Sequence, residues 1–582
     1  MTAATPNNRQ PRWEPARPGW VRLSLLTSVL LIGWALLVPP GHRAQWWHLA
    51  LALAITAAFL GSWHGQSLST IARRSVPMAL RNRQRRRRPP SSAAHRNRGL
   101  PRTSDTQTAE QSSGDDEATI VIHLQPHPYE LSGPNDTSDQ LPWELVISWL
   151  DRYGIRANAL TVTSVNTTPP ASSLRSDHSS LLSAATPQNR HTWISYTLGA
   201  DANLAAISAG RVQRIARRSS SDPQTDPQTS DDDTDSPRTA ITELAAITAR
   251  RLVAELSEQG WLASDVTKTQ LPRFADATLS VRRECWTGAE YADGFRAVYQ
   301  IEPHALGTAL DAITRLHTKS SWVSVTVRQH GFQPPTIEAA AALLTTARPS
   351  RRVAAGMHGM HGLHAQSAER FTVTGLAGVN LPRTPVVMDD LRAVLWRTSS
   401  AGVPLGSDQH GDPFYLTLDS PEPTRITITG TPEFQWGICS RLVLLGRPTG
   451  IYAPNARPWV SLANLAAPHQ VSLNPSELPP DAIAIGADGA AIPPAAIAVI
   501  LRPSTPTYAT STPIMITQHP RQPDWFTVST PRLRERSSPR LGELVNDFRA
   551  KYDRDPDAAQ RRTLAIQASS VWLNTRLPTT GF

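Results

Sequence analysis

The chain has 582 residues, 50 of them Pro, with 18% charged residues and a net charge of +10. That length suits two or three domains, and that much Pro implies a sizeable share of loop and linker. Two cysteines, Cys285 and Cys439, lie far apart, which argues against a disulfide framework or a thiolate metal site.

Residues 1–20 read as a short cytoplasmic segment. "VRLSLLTSVLLIGWALLV" (21–38) and "WWHLALALAITAAFLGSW" (46–63) are each close to the roughly 20 residues that a helix needs to cross a bilayer. Trp20, Trp46, Trp47 and Trp63 sit where interfacial aromatics are expected. Residues 21–63 are therefore predicted to form a transmembrane helical hairpin. Arg9, Arg12, Arg17 and Arg22 precede it, and Arg73, Arg74, Arg81, Arg83 and Arg85 to Arg88 follow it. The intervening loop holds only Arg43, which places both termini in the cytoplasm and the turn outside. Residues 64–118 read as a basic, disordered tether. Beside a membrane span, its "RNRQRRRRPP" suits topology and membrane lipids better than nucleic acid.

Residues 119–386 alternate strand and helix patterns, as in an α/β or α+β cytoplasmic body on that two-helix anchor. "ATIVIHLQP", "ANALTVTSVN" and "HTWISYTLGA" read as strands, and "AITELAAITARRLVAELSEQGW" as a long amphipathic helix ended by Gly260. "FRAVYQI" and "SWVSVTVRQHG" add strands, whereas the Ala-rich "TIEAAAALLTTA" reads as a helix. Disordered insertions are expected near 167–190 and 218–238. Residues 387–460 form a second α/β unit, and residues 461–582 a Pro-rich region with short strands and a final helix, "RLGELVNDFRAKY".

Within the second unit, "TRITITGTPEFQWGICSRLVLLG" (424–446) reads as strand, Gly turn and helix, the layout that cradles nucleotide phosphates in many proteins. A working Walker loop needs a Lys after its second Gly to neutralise the terminal phosphate. Gly430 is followed by Glu433, Gly437 and Ser440, and none of Lys268, Lys319 and Lys551 follows a Gly. A carboxylate in the loop would repel a phosphate. The stretch therefore reads as a βα crossover, with descent from a nucleotide-binding domain left open.

His358, His361 and His364 in "GMHGMHGLHA" have types that bind zinc or nickel, but no nearby carboxylate or thiolate completes a set, and a flexible Gly/His loop is expected. Glu290 and Asp293 in "CWTGAEYADGFRAVYQI" could pair for acid–base work, but a structured turn before a strand is the plainer reading. Cys285 has no argued base to activate it. No catalytic, cofactor-binding or metal-binding residue is assigned.

The helical hairpin, the basic tether, "CWTGAEYADGFRAVYQI" and "GVPLGSDQHGDPFYLTLDSPEPTRITITG" (402–430) together resemble EccE. EccE is a membrane component of the type VII (ESX) secretion machinery of mycobacteria and related actinobacteria. The resemblance implies a structural, non-catalytic subunit at the inner (plasma) membrane. Its partners would be EccB-, EccC- and EccD-type subunits, of which EccC is the ATPase, with no cofactor, nucleic acid or small-molecule substrate. The competing reading is a membrane-tethered nucleotide-sugar or lipid-linked transferase. It would need metal-binding acids, for which Asp408, Asp412, Asp389 and Asp390 are the candidates, although turn and helix-cap roles suit them better.

Overall fold

A computed structural model describes residues 66–87, 117–125, 131–133, 140–179, 189–209, 237–266, 271–275, 279–329, 333–351, 353–398, 402–407, 413–420, 422–487, 490–503, 514–530 and 560–565. It also describes Thr27, Ser28, Trp46, Ala50, Ser62, Trp63, Tyr129, Leu182 and Ser400. The two apolar segments of the expected hairpin otherwise lie outside the described residues, as do most of 218–238 and the expected final helix. Among the described residues no helix is long and apolar enough to cross a membrane.

Among the described residues the body is mixed α/β and is organised on two large sheets. The first is a 12-stranded sheet. Its strands include β1 (Glu117–Gln125), β2 (Ile155–Thr167), β3 (Asn189–Gly199), β4 (Leu262–Asp265) and β5 (Arg283–Cys285), with β6 (Gly288–Tyr291), β7 (Gly294–Ile301), β8 (Ser320–Arg328) and β9 (Thr336–Thr345). They run β4-β1-β3-β2-β8-β9-β7-β6-β5, each pair antiparallel. One face carries the long helix α2 (Pro237–Glu258), whose Ile241, Ala245, Ala249, Leu252 and Leu256 are buried at helical spacing. Gly260, at φ 97°, ends the turn after α2, as its sequence position predicts.

Strand β9 corrects the sequence reading of a helix. Ala has the highest helix propensity, yet Ala339 and Ala341 enter the core under α2 while Ala340 and Ala342 enter a second core on the opposite face. A strand buried on both faces loses its polar alternation and reads as a continuous apolar run. Hydrogen bonding to β7 on one side and β8 on the other then overrides propensity.

The second sheet has 11 strands. They include β10 (Val403–Ser407), β11 (Pro413–Leu416), β12 (Thr424–Thr429), β13 (Thr449–Tyr452) and β14 (Val471–Leu473). The chain continues with β15 (Ile483–Gly486), β16 (Ile497–Arg502), β17 (Ile514–Gln518), β18 (Trp525–Thr530) and β19 (Gln560–Ala565). The order is β14-β13-β15-β16-β12-β17-β18-β19-β10-β11, ending at Leu131–Ser132. The six strands from β14 to β17 are parallel. β12 is hydrogen-bonded on both sides by strands of the Pro-rich region, so the expected boundary near residue 460 runs through one continuous sheet. Ile426 and Ile428 of β12 are fully buried, and burial of each contributes about 1.5–3 kcal/mol.

Two further expectations are corrected. Residues 68–87 of the supposed disordered tether form a 20-residue helix, α1 (Leu68–Arg87). Within the insertion near 167–190 lies the helix Ser173–Asp177, capped by Ser172, whose Leu174 is buried in the core of the second sheet. Leu182 packs against the same core, but two apolar contacts in so polar a stretch give too little periodicity for sequence to find.

Candidate functional site

Among the described residues, three places bring chemistry-bearing residues together. The first is the turn after β12. α3 (Pro432–Val443) begins three residues beyond the end of the strand, with Thr431 as N-cap accepting from the Phe434 amide at 3.3 Å. A phosphate cradle works through free backbone N–H groups at such a helix start. Here the Thr431 amide donates to Gln518 Oε1 at 2.8 Å, and the Gly430 amide to the Arg502 carbonyl at 3.3 Å. The Gln435 amide donates to the Thr431 carbonyl at 3.0 Å, and Pro432 has no N–H to offer. The Gln435 side chain ties the Gly430 and Arg502 carbonyls together at 3.1 and 2.6 Å.

The space is filled as well. A Cβ on Gly430 would stand 2.6 Å from Phe434 Cδ1 and 2.8 Å from Gln518 Oε1, so Gly is required here for close approach. Gly437 and Ser440 lie inside the helix, where the Ser440 hydroxyl donates to the Gly437 carbonyl at 2.8 Å and faces buried His178 at 3.3 Å. Cys439 is fully buried on α3, and burial pushes its thiol pKa up. The βα unit therefore has the topology of a nucleotide cradle in which the Gly430, Thr431, Phe434 and Gln435 amides are already engaged.

The second place is the edge of the first sheet at β5. Glu284 has a side chain only 1% exposed, and an unpaired carboxylate so buried would be strongly destabilising. Its partners come from α1, about 200 residues earlier. Arg81 donates twice to Glu284 Oε2, at 3.2 and 3.1 Å, and once to the Gly362 carbonyl at 2.7 Å. Arg85 approaches the same oxygen at 3.8 Å. The Ala365 amide donates to Oε1 at 3.2 Å.

Asn82 completes the docking. Its side chain donates to the Glu284 carbonyl at 2.7 Å and accepts from the Glu284 amide at 2.9 Å, as a neighbouring strand would. The exposed edge of β5 is thereby covered by α1.

The Gly/His stretch forms the floor of this corner and is ordered. Residues Met357–Gly359 form a strand on β7. Gly362, at φ +73°, leaves room for α1: a Cβ there would stand 3.2 Å from Arg74 Cβ. His361 lies parallel to the Trp286 ring, 5.3 Å between centroids, and its Nδ1 meets the Trp286 carbonyl at 2.9 Å. His364, fully buried, accepts from the Val298 amide at 3.1 Å, and its Nε2 meets the same Trp286 carbonyl at 3.2 Å. Burial, with His361 beside it, pushes the His364 pKa down to about 3. Burial also lowers that of His361. His358 points away to Glu302 at 2.9 Å. The three histidines thus hold protein groups, and among the described residues no cluster of three or more His, Cys, Asp or Glu side chains is arranged to hold a metal ion.

The third place is the junction of the two sheets. His123 on β1 stacks on Trp193 at 4.3 Å and its Nε2 meets His191 Nδ1 at 3.3 Å. Beside them Asp419 accepts from Arg447 at 2.9 Å and from Ser400 at 2.8 Å. Burial, then the neighbouring His191, lowers the His123 pKa to about 4 against the pull of Asp419. Arg190 and Thr192 of β3 donate to the carbonyls of Arg397 and Thr398. None of these residues forms a local motif, so sequence reasoning missed them.

The remaining candidates are dispersed. Both Asp293 oxygens accept from Arg296, at 2.6 and 2.9 Å. Burial works against ionisation of Asp293, but Arg296 outweighs it and holds the carboxyl below its usual range. The Arg296 guanidinium also lies over Tyr291 at 4.6 Å, so Asp293 is engaged in a structural network. Cys285 is buried on β5. Asp389 pairs with Arg392 at 2.9 Å in the first turn of the helix Met388–Arg392, where Asp390 also lies. Asp408 and Asp412 lie outside the described residues.

The fold and these three places define a mixed α/β protein that combines a sealed nucleotide-cradle topology with a docked, basic N-terminal helix. No family model matches the chain. It is similar to the ESX-3 secretion system protein EccE3 of Mycobacterium tuberculosis, 26% identical over 291 residues, which cover 50% of this chain and 65% of that protein. It is likewise 24% identical over 328 residues to EccE3 of Mycolicibacterium smegmatis, covering 56% of this chain and 79% of that protein. The chain thus spans less than two thirds of the M. tuberculosis relative. These relatives support the EccE resemblance carried by the sequence motifs.

Proposed function

We propose that the chain is a structural, non-catalytic subunit of an ESX-type protein secretion complex, held at the inner (plasma) membrane. Residues 21–63 form its two-helix anchor, both termini are cytoplasmic, and EccB-, EccC- and EccD-type subunits are its neighbours. The similarity to EccE3 supports the secretion role. One structural observation carries the non-catalytic reading: the Thr431, Gly430 and Phe434 amides around the start of α3 are bonded to the Gln518 side chain, the Arg502 carbonyl and the Thr431 hydroxyl. A phosphate at this turn would have to displace those bonds and would find no loop lysine.

The alternative, a transferase using nucleotide-activated donors, draws no support from Asp389, whose carboxylate is bonded to Arg392. Deleting the gene should abolish ESX-dependent export, and the tagged chain should co-purify with an EccC-type ATPase. Undiminished export in the deletion strain would overturn the proposal.

A further inference from the structure

α1 has two faces of different character. Arg74, Arg81, Asn82 and Arg85 fall on one side at helical spacing, and this side meets Gly362 and Glu284. Arg73, Val76, Leu80 and Arg83 fall on the other side at steps of three, four and three residues. Val76 is 59% and Leu80 54% exposed, large apolar side chains left in solvent. Arg73 and Arg83 are exposed and, among the described residues, form no ion pair. The sequence of α1, "LSTIARRSVPMALRNRQRRR", contains no acidic residue.

We infer that this outward face of α1 lies on the anionic headgroups of a phospholipid bilayer, while the opposite face holds the folded body through Glu284. The inference rests on the membrane anchor of residues 21–63, because α1 begins five residues after that segment ends. Basic side chains close to an anionic surface are drawn to it, and apolar residues between them sink into the headgroup boundary. Pro77 is exposed at the border of the two faces and lacks the N–H that would pair the Arg73 carbonyl. That carbonyl needs water or polar headgroups near it, which fits interfacial depth and not the hydrocarbon. Among the described side chains, a second protein helix would meet two large apolar groups here, Val76 and Leu80, flanked by arginines. α1 would thereby set the distance and tilt of the body relative to the bilayer.

The test uses the full chain with Leu80→Cys, labelled with a polarity-sensitive fluorophore and reconstituted into vesicles. The native Cys285 and Cys439 are buried, which directs labelling to the new thiol. A blue-shifted emission is expected in phosphatidylglycerol–phosphatidylcholine vesicles. The shift should be lost in phosphatidylcholine alone and in the R73E/R83E double variant. An aqueous emission from protein that co-floats with the vesicles would overturn the inference and leave the anchor intact. So would a shift equal in both lipids, or one that arises only on adding a partner protein. Failure to co-float would overturn the anchor and this inference together.

Discussion

The Gly430 turn and the Glu284 corner solve the same problem in different ways. Each concentrates polar groups that would otherwise recruit a ligand. At the turn, the Thr431, Gly430 and Phe434 amides are engaged by the Gln518 side chain and the Arg502 carbonyl of the same sheet and by the Thr431 hydroxyl of the turn itself. At the corner, a buried acid is neutralised by a helix from outside the sheet, 203 residues away in sequence. The turn is closed by its own fold. The corner is closed only while the N-terminal helix stays docked, so it is the place where the N-terminal region and body are coupled.

The largest effect should come from breaking the corner. Glu284→Ala leaves Arg81 without its carboxylate and the Ala365 amide without its acceptor. A loss of about 3–4 kcal/mol is expected, read by urea denaturation, with limited trypsin digestion cutting first within α1. Proteolysis confined to the second sheet would show that the corner does not hold the helix.

Acid should separate the two places. Burial holds His123 near 4 and His364 near 3, and lowers His178, His191 and His361. A histidine with a depressed folded-state pKa stabilises the fold above its unfolded value near 6.5, and that contribution is lost as the pH falls toward 4. The expected loss between pH 7 and 4 is about 3 kcal/mol from each of His123 and His364. Hydrogen exchange should rise first around Trp286, His361 and His364 and at the His123 junction, and later around Gly430. Equal exchange at all three would contradict the assignment.

Gly362→Ala should cost about 1–2 kcal/mol, because the residue has positive φ and α1 stands against it. It should also loosen α1, raising trypsin sensitivity at Arg81 and Arg83. Thr431→Ala removes only the α3 cap and should cost about 1 kcal/mol. A thermal melt should show this modest drop with no change at α1.

Much of this architecture was legible in sequence where the signal is local. β12, α3 and their Gly turn, and α2 with its terminal Gly260, lie where periodicity and stop signals put them. β9 was misread because its alternation is between two apolar faces, which leaves an Ala run indistinguishable from a helix. α1 was hidden by arginine content that resembles a tether, although Arg81 and Arg85 are engaged by one buried acid. Glu284 lies beside the conspicuous Cys285 and Trp286, but a single Glu carries no pattern. Its meaning comes from partners at long sequence separation. The sealing of the Gly430 turn was only half visible: the missing lysine is a sequence fact, whereas Gln518 reaches the turn from a strand that begins 90 residues later than β12.

The most direct measurement is isothermal titration of the purified full-length chain with ATP and magnesium, followed by assay for phosphate release. A sealed cradle predicts no binding heat at millimolar nucleotide and no release above the protein-free control. Magnesium-dependent turnover that disappears in Thr431→Ala would contradict it.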